Sequence, residues 1–419
     1  MRVHSLGGRD PLGNPWLSRE LSERYLLFDA CVAGLRRVDL HPLVLSPELH
    51  AAAVHTATSV YTAIGRAAGR AHDDTEERQR YGLHDDVCKL ASASRAGGDD
   101  ASLVRLDLLL GQDGKWHVCE INADCPGGHN EATGLPELAQ SAGFWEGLNP
   151  TRLLDELADR LAGLALRPGA GPGRGAVALI YATAYAEDLQ VCALVRRALR
   201  ARGITAVLAA PTALRLRNEA LCVGNTPVAA LYRYYPTEYM EGQRNLDALA
   251  TAVAGGSVRT LSSFAHIYLQ SKLAFARAWA FERQSELRTL ALRQHVPETF
   301  ELGELPREQL IAEREKWVLK RALGRVGDEV FVGDLITDED WAKLQDTLAA
   351  LSWQRGERWI AQRYVPQQPI PTPFGDLLVT LGAYLLDGRF VGYFARLTPQ
   401  SHVSHDALCV PVFTRTEVR

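Results

Sequence analysis

Between residues 103 and 128 apolar and polar positions alternate, break and alternate again: Leu-Val-Arg-Leu-Asp-Leu-Leu-Leu, then Gly-Gln-Asp-Gly-Lys, then Trp-His-Val-Cys-Glu-Ile-Asn-Ala-Asp-Cys-Pro-Gly-Gly. Two such runs around the turn signal Gln112–Lys115 predict a β-hairpin. Side chains in a strand point to alternate faces, so Arg105 and Asp107 share one face of the first strand, and Glu120 and Asn122 share one face of the second. Folding at the turn can bring these polar pairs side by side.

Elsewhere the period changes. Apolar residues at helical spacing around Tyr25–Leu35 and Leu49–Ile64 predict helices between residues 17 and 72, and the polar stretch 73–100 predicts a solvated helix and loop. Arg-Pro-Gly-Ala-Gly-Pro-Gly-Arg-Gly at 167–175 is the clearest linker. Its Gly-x-Gly is no dinucleotide fingerprint, because it precedes the strand Ala176–Tyr181 instead of following one. A helix over about 186–202 and strands at 204–209 and 228–232 then predict a small parallel α/β lobe. In the last third, Trp317-Val318-Leu319-Lys320 reads as a strand ending on a lysine. A loop, Gly324-Arg325-Val326-Gly327-Asp328-Glu329, leads to a strand at 330–332, and further strand-like runs follow at 359–365 and 380–394.

A chain of 419 residues exceeds what one core usually supports, so two or three lobes are expected. With 47% hydrophobic and 23% charged residues and a net charge of −4, nothing points to nucleic acid or membrane as a partner. The absence of a long apolar run or signal-like N-terminus predicts a cytoplasmic protein. Seven scattered cysteines form no disulfide framework. The spacing of His117, Cys119, Cys125 and His129 fits no common zinc pattern.

The polar face of the hairpin is the first candidate for chemistry. An arginine, two carboxylates and a carboxamide need compensation if buried. Hard oxygen ligands of this kind suit Mg²⁺, and an internal ion pair of Arg105 with Asp107 or Glu120 explains them equally well. Lys320 before a glycine-containing loop suits phosphate binding, although a plain turn also accounts for the glycines. Glu187-Asp188 falls at a helix start, where acids favour the dipole. Ser401 to Asp406 contains triad residue types, but neighbours in sequence do not form a triad, and a polar loop is the better reading.

The order of these pieces resembles the glutathionylspermidine synthase family, a circularly permuted branch of the ATP-grasp carboxylate–amine ligases. Arg105-x-Asp107, a turn and Glu120-x-Asn122-Ala123-Asp124 come first; Lys272, Lys320, the glycine loop and Arg358–Pro366 follow. The resemblance covers most of residues 100 to 400. It implies an α/β fold with a helical segment (1–100), a hairpin region of the ATP-grasp core (101–166), a pre-ATP-grasp lobe (176–260) and nucleotide-binding lobes (261–419). Asp107, Glu120 and Asn122 would hold two Mg²⁺ ions, Arg105 and Arg325 the transferred phosphoryl group, and Lys272 and Lys320 the ATP. The loop with Gly324 and Gly327 would close over the phosphates. Gln362 would face the adenine amino group, with Tyr364 or Val365 against the ring, while Arg396 and His402 would border the site. Glu187 and Arg233 become candidates for gripping an amino group and a carboxylate, and Cys125 for facing substrate.

The loop after Asn122-Ala123-Asp124 departs from the family, since Cys125 and Gly127 stand where its best-known members present hydroxyl groups to glutathione. The expected activity is therefore amide formation between amino acids, giving for example a γ-glutamyl or an α-dipeptide, through an acyl phosphate, releasing ADP and phosphate, with small-molecule carboxylate and amine substrates. The alternatives are a glutathione or polyamine ligase, a Mg-dependent phosphohydrolase, or a nucleotide-binding protein without catalysis.

Overall fold

The computed structural model describes residues 1–6, 15–28, 30–32, 34–324, 329–355, 357–401 and 407–415. The alternating segment forms the expected hairpin. Leu103–Leu110 pairs antiparallel with Trp116–Asn122, placing Arg105 opposite Asn122 and Asp107 opposite Glu120. The hairpin is the edge of an antiparallel sheet that continues through Gly375–Leu386, Arg389–Thr398 and Leu408–Val410.

One face of this sheet is apolar. Val104, Leu106 and Leu108 of the first strand and Trp116, Val118 and Ile121 of the second are buried in one cluster. Against them lies the 27-residue helix Pro47–Asp73, whose Ala53, Ala57, Ala67, Ala68 and Ala71 allow close approach. Its N-terminus is capped by Ser46, which accepts from the Leu49 amide, and carries Pro47 at the first position. Strict alternation would send Val118 and Ile121 to opposite faces. The pairing shifts by one residue between Asp107 and Leu108, so Cys119 is left as a bulge and both apolar residues reach the core.

The segment after the linker is the anticipated parallel lobe. Ala176–Tyr181 lies between Thr205–Ala209 and Ala230–Tyr234, with Arg259–Leu261 outermost, all parallel. Val177 and Leu179 pack in the same cluster as Leu157 and Leu161 of helix Leu153–Leu166 and Val191 and Val195 of helix Ala186–Ala201. Ala178 and Ile180 pack with Leu90 and Leu249 on the other face. A third, antiparallel sheet runs in the order Thr299–Glu301, Trp359–Arg363, Trp317–Arg321, Val330–Val332. Its apolar face buries Trp317, Leu319, Trp359 and Ala361 against Trp341 and Leu348 of helix Asp338–Arg355.

Two expectations fail. The N-terminal helix is Pro15–Tyr25, and among the described residues of the stretch expected to be helical from Tyr25 to Leu35 only Tyr25 lies in a helix. Leu26 takes a left-handed φ of 55°, and Leu35–Arg36 instead pairs with Cys31–Val32. Tertiary pairing also draws this segment toward the C-terminal strands, through the bridge from Val38 to Cys409. The stretch 73–100 is not simply solvated either. It forms helices Thr75–Arg80 and Asp85–Gly97, and the second buries Val87, Leu90 and Ala91. Among the described residues no helix is long and apolar enough to cross a membrane.

Candidate active site

The face of the hairpin opposite the long helix carries the charges. Asp107, 5% exposed, accepts two hydrogen bonds from Arg105, at 2.7 Å from Nε and 3.0 Å from Nη2. A third comes from Arg396 Nη2 at 2.7 Å, reaching in from the strand Arg389–Thr398. Arg105 also donates through Nη1 to the Gly127 carbonyl at 2.8 Å. Burial would raise the Asp107 carboxyl, but the charges of Arg105 and Arg396 outweigh it and hold the group below the usual carboxylate range. Asn122 approaches the same carboxylate, with Nδ2 3.5 Å from Oδ2.

Glu120 meets the second half of the chain. Lys272, which precedes helix Leu273–Arg283, places Nζ 2.9 Å from Glu120 Oε1 and donates to the Gly324 carbonyl at 2.7 Å. Lys272 again outweighs burial, and the Glu120 carboxyl lies below its ordinary value. Lys320 donates to Gln362 Oε1 at 2.7 Å and to the Cys119 carbonyl at 3.2 Å. Burial pulls the Lys320 ammonium below its usual value. The bulge therefore has a second consequence: it turns a carbonyl toward a lysine of another sheet.

Arg105, Asp107, Glu120, Asn122, Lys272, Lys320 and Arg396 thus share one site, to which residues almost three hundred positions apart contribute. Four cations surround two carboxylates there, a surplus of positive charge that suits a polyphosphate. Gln362 behaves otherwise than expected. Its amide is buried and engaged at both ends, since Nε2 donates to Thr299 Oγ1 at 3.1 Å, so it orients Lys320 instead of facing an open pocket. Tyr364 and Val365 follow that strand and are half-buried. Arg325, Gly327 and His402 lie outside the described residues.

The remaining candidates lie apart. Arg233 is 1% exposed and donates to Asp124 Oδ1 at 2.6 Å, to the Tyr235 carbonyl at 2.7 Å and to the Ser262 carbonyl at 3.1 Å. Its Nε is left without a partner, but both terminal nitrogens are taken and its charge is matched by Asp124, so the expectation placed on Arg233 is replaced by a structural one. It anchors the loop after the hairpin to the parallel lobe, where Thr237 also binds Asp124. Glu187 is exposed at the start of its helix and pairs with Arg37 at 3.2 Å. Cys125 is half-buried. Among the described residues no group of three His, Cys, Asp or Glu side chains is arranged to hold a metal ion.

Residues 46–413 match the family model described as glutathionylspermidine synthase pre-ATP-grasp. The chain belongs to the glutathionylspermidine synthase family. The match spans every member of the cation cluster, from Arg105 to Arg396. Among solved structures, the chain is similar to a glutathione synthetase-like effector from Globodera pallida, with a TM-score of 0.63 at 14% identity over 99% of this chain and 100% of that one. A putative gamma-glutamylcysteine synthetase from Methylobacillus flagellatus KT follows at a TM-score of 0.40 and 14% identity, over 80% and 84% of the two chains. No curated protein matches. The fold is that of the ATP-grasp-like synthetases, as the order of the sequence pieces implied.

Within this family frame, some positioning residues carried no sequence signal. Gln270 is one: its Oε1 accepts from the amides of Ala123 and Asp124 at 2.8 and 2.9 Å, and so fixes the turn that follows Asn122. A glutamine at the end of a one-turn helix looks like any other until the partner amides are known.

Proposed function

We propose that the protein is an ATP-dependent ligase joining a carboxylate to an amine, with amino acids on both sides of the new amide. The observation that carries this reading is the buried cluster of Arg105, Arg396, Lys272 and Lys320 around Asp107 and Glu120. A hydrolase of small esters or an acid–base enzyme has no use for so many cations; a transferring phosphoryl group does. A substrate carboxylate oxygen attacks the γ-phosphorus of ATP, the bond to the ADP oxygen breaks, and an acyl phosphate results. An amine nitrogen then attacks the acyl carbon, phosphate departs with the former carboxylate oxygen, and the amine loses a proton to solvent.

The chain's task is positioning and charge neutralisation. Arg105 is held at three points by Asp107 and Gly127, so its guanidinium is preorganised. Lys272 and Lys320 are point charges for the phosphates, each steadied by a neutral oxygen, Gly324 O and Gln362 Oε1. The oxygens of Asp107, Glu120 and Asn122 are hard donors on adjoining strands, a set that fits Mg²⁺ completed by water and phosphate oxygens. Bound there, Mg²⁺ would neutralise charge on the phosphates. Cations of this kind each contribute typically several kcal/mol in a water-poor site.

The test is to incubate the protein with ATP, Mg²⁺ and pooled amino acids and polyamines and to identify the products. ADP and phosphate whose release depends on an amine support the ligase. AMP and pyrophosphate would overturn the mechanism, and phosphate release without any amine would make the protein a phosphohydrolase. The cytoplasm is the proposed compartment, as befits small biosynthetic substrates and seven cysteines of which none is in a disulfide.

A further inference from the structure

A separate polar cavity of about 80 Å³ adjoins the cation cluster without containing it. Arg37, Gly128, Asn130, Glu131, Glu187 and Tyr234 are among its walls, while Arg105, Asp107 and Glu120 are not. It comes close to the cluster along two routes. Gly128 follows the residue whose carbonyl holds Arg105, and Cys409, another wall, lies opposite Arg396 in the sheet.

Two residues that line this cavity each carry a buried polar atom without a partner. Asn130 is 2% exposed; its Nδ2 donates to the Tyr25 carbonyl at 2.8 Å, which fixes the amide, and its Oδ1 has no partner. Arg37 gives Nη1 to Glu187 at 3.2 Å, yet its Nε is buried without an acceptor. An unmet acceptor and an unmet donor each carry a desolvation cost, and a single ligand bearing an ammonium and a carboxylate relieves both. Half-buried Glu131 stands next to Asn130, and burial pushes its carboxyl above the ordinary value, a shift that an ammonium would offset. A diamine would leave Arg37 unserved, and a simple dicarboxylate would leave Asn130 and Glu131 unserved.

We propose, resting on the ligase reading, that this cavity holds the α-ammonium and α-carboxylate of a dicarboxylic amino acid, whose side-chain carboxylate is the one activated. Arg37 takes the α-carboxylate, and Asn130 Oδ1 with Glu131 takes the α-ammonium. Because the cavity adjoins the phosphoryl centre but excludes it, a substrate anchored by its α-groups extends its other end past Gly127–Gly128 toward Arg105. The side-chain carboxylate oxygen then forms the bond to the γ-phosphorus as the bond to ADP breaks. The product amide is therefore on the side chain, and the α-groups emerge unchanged.

The full-length protein is titrated calorimetrically with L-glutamate and L-aspartate. The truncated analogues follow: glutarate and succinate lack the ammonium, and γ-aminobutyrate and β-alanine lack the α-carboxylate. One of the two amino acids should bind about 10- to 100-fold more tightly than either of its analogues, as loss of one charged hydrogen bond implies. Arg37→Gln should abolish the preference over the analogue without the α-carboxylate and keep the other preference; Glu131→Gln should do the converse. The two opposite patterns separate recognition from general loss of fold. With ATP, Mg²⁺ and hydroxylamine, the trapped product should be the side-chain hydroxamate. Equal binding of the amino acids and their analogues, no binding of either amino acid, or an α-hydroxamate would each overturn the assignment. Selective binding without ADP formation under any condition would instead overturn the ligase reading and leave the cavity's ligand standing.

Discussion

Gly382→Ala tests whether the placement of Arg105 matters to within an ångström. Gly382 lies opposite Asp107 in the central sheet, and the Arg105 stem crosses directly over it. A Cβ added there would stand 2.7 Å from Arg105 Cδ, 3.1 Å from Cγ and 3.1 Å from the Phe394 carbonyl oxygen. Carbon atoms pack at about 3.5–4.0 Å, so the arginine must retreat by roughly 1 Å. It has little freedom to do so, because Asp107 and Gly127 hold its guanidinium at three points. Overpacking of this sort costs about 1–3 kcal/mol of stability. Misplacing a positioned catalytic group by about 1 Å costs on the order of 100-fold in rate, or about 2.7 kcal/mol. The expected variant is folded, modestly destabilised in urea, and about 100-fold lower in kcat/KM for ADP release with the best amino acid pair. Gly163→Ala is the control, since a Cβ at Gly163 meets nothing within 4 Å on its helix. If Gly382→Ala kept kcat/KM within about threefold of the parent, preorganisation of Arg105 would not be what the site depends on.

Glu120→Gln should lower turnover by orders of magnitude with little change in the unfolding midpoint, because Glu120 is only partly enclosed and keeps a polar partner for Lys272; near-normal turnover with Mg²⁺ would remove the hairpin from the active site. Asp107→Asn should lose turnover and stability together, by about 3–5 kcal/mol for the latter, since two buried guanidinium groups lose their counter-charge; an unchanged urea midpoint would contradict this. Arg233→Met should cost a similar amount of stability while leaving the KM values of the folded enzyme within about twofold, and a large selective rise in one KM would restore Arg233 as a substrate contact. His129 is buried neutral against Tyr232, and burial lowers it from 6.5 to about 3. The unfolded chain therefore takes up a proton first as pH falls below 6.5, and stability declines by up to about 1.4 kcal/mol per pH unit down toward pH 3. His129→Gln should flatten that slope in urea titrations at pH 7, 6 and 5, whereas an unchanged slope would place the acid sensitivity elsewhere.

Much of the site was legible in the sequence because strand periodicity is local. With a turn at Gln112–Lys115, the alternation of side chains sets Arg105 with Asp107, and Glu120 with Asn122, on shared strand faces, but a regular ladder from that turn would put Cys119 opposite Asp107, and it is the bulge at Cys119 that brings the two pairs together. The parallel lobe was legible for the same reason, as a strand, helix and strand of ordinary length. What lay outside the reach of the sequence were contacts between distant segments. Arg233 looks as suited to a carboxylate ligand as Arg37 does; only the position of Asp124 makes the first structural, and only the helix starts at 129 and 186 place the second beside a cavity. Gln362 likewise became a support for Lys320 once Thr299 stood behind it. The apolar spacing of Tyr25–Leu35 suggested a helix, but strand-like pairing and the bridge to the C-terminal segment overrode so weak a local preference. The hairpin itself marks the boundary between the two kinds of information. Its sequence determined which residues could be paired, yet Trp116, Val118 and Ile121 cannot all face one way in a regular strand. Burial of all three against the helix Pro47–Asp73 is worth more than one regular ladder position, so the chain takes a bulge at Cys119, and that bulge turns Glu120 toward Lys272.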